Sequence, residues 1–296
     1  MQTKSAFIAI VGRPNVGKSS LLNELVGEKV AIVSPKPQTT RTRITGVLTK
    51  DVTQFVFIDT PGIHKPRTKL GGYMMGQVRE SFADVDAVVF MCEPWGDITP
   101  VELELAESLR TRNIPVILAI NKIDALPRKE EMMAKLDAFS KLCDFDEIIP
   151  ISVLKKDGTG LLLEKLETYA YEGPHYFDDD DYTDQPERVI VGEIIREKLL
   201  NNLMDELPHG VAVSIEEMKE RPEGGLLDIQ ATIFCEKDSH KGMIIGKQGA
   251  MLKKIGSGAR IDIEGFMDCK INLQLWVKVK DDWRNREGLM RQFGFR

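Results

Sequence analysis

Ala6-Phe7-Ile8-Ala9-Ile10-Val11, running directly into Gly12-Arg13-Pro14-Asn15-Val16-Gly17-Lys18-Ser19, decides the fold of the first half of this chain. The second stretch matches GxxxxGK[ST], and it stands where a phosphate loop must stand, after an apolar strand and before the helical pattern KSSLLNELVG. A phosphate cradle needs residues without side chains, so that consecutive backbone N–H groups converge on one anion, and the helix behind adds the positive end of its dipole. The nucleotide contacts expected here are Gly12, Asn15, Val16, Gly17, Lys18, Ser19 and Ser20. Lys18 is expected on the β- and γ-phosphate oxygens, and the Ser19 hydroxyl on a magnesium ion that bridges them.

Outward from this loop, apolar runs alternate with helix-length stretches. AFIAIV (6–11), ITGVLT (44–49), QFVFID (54–59), DAVVFMC (86–92), IPVILAI (114–120) and EIIPIS (147–152) read as strands, the second and third as a hairpin. The alternation predicts a mainly parallel six-stranded sheet covered on both faces, with ligands at the carboxyl ends of its strands. Three downstream motifs fall at such ends. Asp59-Thr60-Pro61-Gly62 places a carboxylate beside the metal, through water, and the Gly62 N–H beside the γ-phosphate. Asn121-Lys122-Ile123-Asp124 offers a carboxylate that accepts from guanine N1–H and the 2-amino group. Adenine has neither donor and would leave Asp124 desolvated and unpaired, so GTP is favoured over ATP. Ile151-Ser152-Val153 is a weaker fourth signal, with backbone N–H groups of Ser152 and Val153 expected at guanine O6.

The chain of 296 residues is 42% hydrophobic and 29% charged, ample for two packed domains. No run approaches a membrane span and the start lacks a cleavage site, so the expected compartment is cytoplasmic. Cys92, Cys143, Cys235 and Cys269 are too widely spaced for a metal knuckle and read as small core residues. The net charge of −6 hides an asymmetry: 22 Lys+Arg against 28 Asp+Glu before Pro186, and 18 against 18 from there on. Residues 172–187, EGPHYFDDDDYTDQPE, carry seven acidic groups and no Lys or Arg, and read as a linker, in preference to a phosphate mimic for a basic groove. The expected domains are 1–172, the linker 173–186, and 187–296.

In the second half PERVIVGEIIREKLLNNL is helix-like, and VAVSIEEM and LLDIQATIFC alternate with period 2. CKINLQLWVKVK does the same with every odd position from Cys269 to Val279 apolar, and reads as an antiparallel strand with one wet face. With a terminal helix around 282–293, the order α-β-β-α-α-β defines an α+β domain. Ile244-Ile245-Gly246-Lys247-Gln248-Gly249 puts a GxxG loop between two helical segments, and two glycines there let backbone approach a nucleic-acid phosphate. Lys237, Lys241, Lys247, Lys253, Lys254 and Arg260 face only Glu236 and Asp238, a net +4 over 236–260. Trp276 and Trp283 are open as stacking platforms for bases. Gly71-Gly72 with Tyr73-Met74-Met75 reads as a mobile loop.

The order of motifs resembles the Ras-like GTPases over residues 5–172. GRPNVGKSSLLN with PQTTRTR (37–43) is similar to the bacterial TrmE-Era-EngA-like group. IIGKQGAMLKKI inside ββααβ order resembles a KH domain of the type II arrangement, with the extra helix and strand first. The pairing of the two resembles the Era family across essentially the whole chain. The resemblance implies a switch I threonine on magnesium, Thr40, with Thr39 and Thr42 as alternatives in register; the metal set is then Ser19, Thr40 and Asp59. It implies that Asn15 helps to hold a potassium ion against the phosphates, so that Lys18, Asn15, Thr40 and Gly62 carry the chemistry. Ile63 stands where Ras-type enzymes orient water with glutamine, which predicts slow hydrolysis; His64 beside Lys65 is a weak candidate base. In the second domain it implies RNA contacts from Lys241, Ile244, Ile245, Gly246, Lys247, Gln248, Gly249 and Lys253, with an isoleucine flooring the bases. It further implies single-stranded small-subunit ribosomal RNA near its 3′ end as target, a role in 30S assembly, peripheral association with the inner face of the membrane, and a monomer. The rival readings are an RNA-binding module whose G domain is structural or nucleotide-sensing, and a metabolic P-loop kinase, which NKID disfavours.

Overall fold

The computed structural model describes residues 2–82, 84–112, 114–126, 129–204, 207–222 and 224–295, without the side chains of 129–131. The chain divides into two compact units. The first holds Met1–Ala31, Thr40–Pro66 and Gly71–Asp184; the second holds Gln185–Arg296 with the short segments Ile32–Thr39 and Arg67–Leu70.

The first unit runs β1 (Lys4–Gly12), α1 (Lys18–Val26), β2 (Ile44–Lys50), β3 (Thr53–Asp59), α2 (Lys69–Glu80, whose first two residues are grouped with the second unit), β4 (Ala87–Cys92) and α3 (Pro100–Arg110). It continues with β5 (Val116–Ile120), α4 (Lys129–Ser140), β6 (Glu147–Pro150), α5 (Thr159–Glu167) and β7 (Tyr171–Glu172). The sheet order is β2-β3-β1-β4-β5-β6, parallel except for the β2–β3 hairpin, and the two-residue β7 adds antiparallel to β1. Helices on both faces require strands apolar on both sides, and all of β3, β4 and β5 is buried. The register brings Gly12 level with Met91, Ile10 with Asp59, Cys92 with Ile120 and Ile120 with Pro150. The phosphate loop, Asp59, Asn121 and Ser152 therefore emerge along one edge.

Two segments differ from expectation. Residues 71–75, expected as a mobile loop, lie in α2, because Leu70, Met74, Met75 and Val78 recur at helical spacing and are all buried. The acidic stretch before Pro186 is bonded along the β2–β3 hairpin and β1. The buried Gln54 amide donates to Phe177 O (3.0 Å) and accepts from the N–H groups of Tyr176 (2.8 Å) and Phe177 (3.0 Å), Val47 N donates to Tyr182 O (2.8 Å), and Thr183 Oγ1 to Thr45 O (2.6 Å). The acidic side chains point outward while the backbone is spoken for.

The second unit runs α6 (Glu187–Asn202), β8 (Ala212–Glu220), β9 (Leu226–Cys235), α7 (Asp238–Ile245), α8 (Ala250–Met267), β10 (Lys270–Val279) and α9 (Glu287–Gln292). β8 and β9 form an antiparallel hairpin, with a bulge between Ile215 and Glu217. β10 pairs parallel to β9, correcting the antiparallel expectation: period-2 alternation fixes which face is apolar and carries no information on strand direction. The core joins Ile190, Ile194 and Leu199 of α6 to Ile255, Ala259 and Ile263 of α8 over the inward residues of the sheet. Cys92, Cys143 and Cys235 are buried free thiols, as expected of core residues, whereas Cys269 is only half-buried at the margin of the second unit's core. Among the described residues no helix is long and apolar enough to cross a membrane.

Candidate active site and nucleic-acid interface

The phosphate loop is built on backbone conformations that side chains resist. Gly17 sits at φ 106°, and a Cβ there would lie 2.3 Å from Asn121 Nδ2. Lys18 is curled back over the loop, its ammonium donating to Gly12 O (3.2 Å) and Arg13 O (2.8 Å). Burial pushes its pKa down to about 8, against the attraction of Asp59.

Ser19, Thr40 and Asp59, from three separate segments, converge. Ser19 Oγ donates to Asp59 Oδ2 at 2.6 Å, Thr40 Oγ1 lies 3.3 Å from the same oxygen, and the two hydroxyls are 2.9 Å apart. Asp59 is fully buried, which raises its pKa, and the Lys18 charge and these hydrogen bonds act in the opposite direction. Its second oxygen, Oδ1, is enclosed without a hydrogen-bond partner among the described residues. Three hard oxygen groups with an orphaned carboxylate oxygen fit a magnesium ion. Thr39, by contrast, bonds Lys36 O at 2.6 Å within the neighbouring segment. Gly62 lies buried against the loop, the Ile63 N–H donates to Gly12 O (3.2 Å), and one His64 ring nitrogen lies 2.8 Å from Gly62 O.

The base side is organised by Asn121. Its amide donates to Val16 O (2.8 Å) and its oxygen accepts from Val153 N (3.1 Å), tying the phosphate loop to the ISV turn. Lys122 Nζ donates to Asn15 O at 2.7 Å. The Ser152 hydroxyl donates to Asp124 Oδ1 at 2.5 Å. In this structure the Ser152 N–H donates to Asp157 O at 2.9 Å and the Val153 N–H to Asn121 Oδ1 at 3.1 Å. The contribution of Ser152 here is its hydroxyl.

Three more charged residues belong to this site and were not read from the sequence: Arg13, Glu93 and Glu102. Arg13 Nε donates to Glu102 Oε1 and Nη2 to Glu93 Oε2, both at 3.0 Å, and Lys122 Nζ donates to Glu93 Oε1 at 2.5 Å. Thr99-Pro100-Val101-Glu102 is a legible capping box with proline at the first helical position, and α3 uses it so. Glu93 carries no local signal.

In the second unit Gly246 and Gly249 bracket the turn between α7 and α8, at φ 73° and 79°. A Cβ on Gly246 would lie 2.7 Å from Met251 Cβ, whereas nothing lies within 4 Å of one on Gly249, whose face is open to a backbone. Lys247, Gln248 and Lys253 are exposed and Lys241 half-buried. The isoleucine pair divides: Ile244 is 0% exposed within the core, so only half-buried Ile245 has surface to offer a base. Trp283 is also 0% exposed, its indole N–H donating to Gly210 O at 2.9 Å, which removes it as a stacking platform. Trp276 is 42% exposed on the sheet face away from that core.

These features define a P-loop protein with a guanine-type base pocket, followed by a KH-type nucleic-acid-binding unit. Family models agree: one described as 50S ribosome-binding GTPase matches residues 7–122, and one described as KH domain matches 206–284. The chain is 52% identical to the GTPase Era of Ruminiclostridium cellulolyticum (100% of this chain, 99% of the relative) and 51% identical to that of Clostridioides difficile (99% and 98%). Among solved structures it is similar, at TM-score 0.95, 38% identity and 99% coverage of both chains, to Era in complex with MgGDPNP and nucleotides 1506–1542 of 16S ribosomal RNA. It is equally similar to an Aquifex aeolicus Era variant bound to GDP·AlF4−. The chain belongs to the Era family of GTPases.

Proposed function

We propose that this protein binds GTP, hydrolyses it slowly, and uses its nucleotide state to govern a KH grip on single-stranded small-subunit ribosomal RNA near the 3′ end during 30S assembly. The observation that carries the reading is the convergence of Ser19, Thr40 and Asp59 beside the curled Lys18, with Asp124 oriented by Ser152 at the far end of the same edge. Such a site fits a magnesium nucleoside triphosphate with guanine as base.

Ser19, Thr40 and Asp59 would hold a magnesium ion, which would supply charge neutralisation for the phosphates when bound. Lys18 and the loop N–H groups hold the phosphates in line, and the Gly62 N–H meets the γ-phosphate. Asp124 accepts from guanine, with Asn121 and Lys122 holding the pocket's walls. Ile63 cannot align water, so intrinsic turnover is slow, and Asn15 is the residue toward which a potassium ion would be directed. Ordering of the segment 33–43 and of the loop 62–76 by the γ-phosphate is the step through which nucleotide state would reach the RNA grip; residues 32–39 group with the second unit. Within that unit the Glu197 carboxylate accepts from Val33 N at 2.9 Å. Gly246, Lys247, Gln248 and Gly249 meet the RNA backbone, with Lys241 and Lys253 flanking and Ile245 beneath the bases. The working compartment is the cytoplasm, with peripheral association at the inner face of the membrane, and the protein acts as a monomer.

The experiment is phosphate release from GTP and ATP, with and without 3′-end ribosomal RNA, in potassium and sodium buffers of matched ionic strength. Slow GTP-specific turnover, faster in potassium, is expected. ATP turnover without GTP turnover overturns the reading. Undetectable hydrolysis even with RNA would favour the alternative that Ile63 keeps open, an RNA-binding module with a structural or nucleotide-sensing G domain.

A further inference from the structure

We infer that Glu93 and Arg13 are positioning residues of the nucleotide site, a charged brace that ties the phosphate loop to the guanine-motif lysine and sets how tightly guanine nucleotides are held. Glu93 follows β4 and belongs to none of the nucleotide motifs. Its two oxygens are divided between the halves of the site: Oε2 accepts from Arg13 of the phosphate loop and Oε1 from Lys122 of the guanine motif. Lys122 returns to the phosphate loop through Asn15 O at 2.7 Å, which closes a ring of contacts around the loop's tip.

The brace has a rigid foot. The other arm of the Arg13 fork reaches Glu102, whose side chain is 0% exposed. The second oxygen of Glu102 accepts from Thr99 N and Thr99 Oγ1, both at 2.8 Å, so the carboxylate is fixed to the first turn of α3. Two carboxylates and two cations balance, and each bond is charge-assisted, the kind that best holds geometry in a partly buried setting. Arg13 thereby serves twice. Its side chain is anchored to α3, and its backbone carbonyl accepts from Lys18 at 2.8 Å, so the anchorage reaches the phosphate-binding ammonium. None of the four groups of the brace belongs to the Ser19–Thr40–Asp59 cluster, where the γ-phosphate and its magnesium would sit. The brace therefore supports GDP and GTP alike, a uniform contribution that appears in affinity and not in the chemical step.

The inference rests on the guanine-nucleotide reading of the site. The test is Glu93→Gln in the full chain, with GDP dissociation followed by a fluorescent guanine nucleotide, steady-state kcat and KM for GTP, and thermal stability. GDP dissociation and KM are expected to rise about tenfold while kcat stays within about twofold. Arg13→Lys keeps the charge, loses the fork, and is expected to behave in the same way, so it reads the brace even where Glu93→Gln does not fold. The double variant Arg13→Lys/Glu93→Gln is expected to be little worse than either single change, because both act through one contact. Unchanged dissociation and KM in both single variants, or a fall in kcat with KM unchanged, overturns the brace. Failure of the unaltered protein to bind guanine nucleotides overturns instead the reading on which it rests.

Discussion

The Ser152 hydroxyl donates to Asp124 Oδ1 at 2.5 Å, so the carboxylate proposed to read guanine is held in orientation by the protein itself. Ser152→Ala removes the tether while leaving Asp124 in place. GTP and GDP affinity is expected to fall about tenfold, with preference over ATP kept; Asp124→Ala is expected to abolish that preference. Competition binding with GTP, GDP and ATP checks both.

Lys18 makes nucleotide affinity depend on pH. Its pKa in the folded protein is about 8, and a phosphate placed on the ammonium raises it, so binding takes up a proton above pH 8. GDP affinity should be flat below pH 8 from this group and weaken between pH 8 and 9, with proton uptake visible as buffer-dependent binding heat. For stability without nucleotide the sign is opposite. The unfolded lysine holds its proton to its ordinary value of 10.5, so raising pH from 8 toward 10.5 removes a cost of folding.

Trp283 belongs to the core of the second unit, against Phe293 and Phe295, and not to an RNA face. Trp283→Ala is expected to cost about 3–5 kcal/mol of that unit's stability. Gly249→Asp, in open space at positive φ beside a basic surface, is expected to change stability far less and to abolish RNA binding. Thermal melts and RNA titration of the two variants should separate cleanly.

Gln54 holds the acidic segment. It is 0% exposed and spends its amide on Tyr176, Phe177 and Thr49, so Gln54→Leu strands at least two backbone N–H groups, at about 1–3 kcal/mol each. Hydrogen exchange should show lost protection confined to residues 176–183 and their β2–β3 neighbours. Unchanged protection there would mean that the stitching is not sustained in solution.

How far the molecule could be read in advance follows from the range of each signal. The phosphate loop, Asp59, Asn121 and Asp124 are local strings at strand ends, and apolar runs located the strands that position them. Strand direction was lost for β10 because alternation is the same in either direction, and only the pairing of Ile271 with Leu227 through Val279 with Cys235 resolves it. The paired glycines Gly71 and Gly72 signal a loop locally, and the helical spacing of Met74 and Met75 is visible only together with Leu70 and Val78, all four of which are buried. The acidic run signalled solvent correctly for its side chains, but its backbone is held by Gln54, more than a hundred residues earlier. Glu93 had no chance of being noticed, since its meaning depends on Arg13 and Lys122 arriving from loops 80 and 29 residues away.

The central claim is that nucleotide state controls the RNA grip. Its most direct test is binding of 3′-end small-subunit ribosomal RNA and a scrambled control to the full protein loaded with GDP or with a non-hydrolysable GTP analogue, alongside Gly249→Asp. Tight binding to the correct RNA alone, stronger in the GTP form and lost in the variant, is the predicted result. Equal binding in both nucleotide states, with the variant still inactive, would contradict the coupling and leave a GTPase and an RNA clamp that share a chain without communicating.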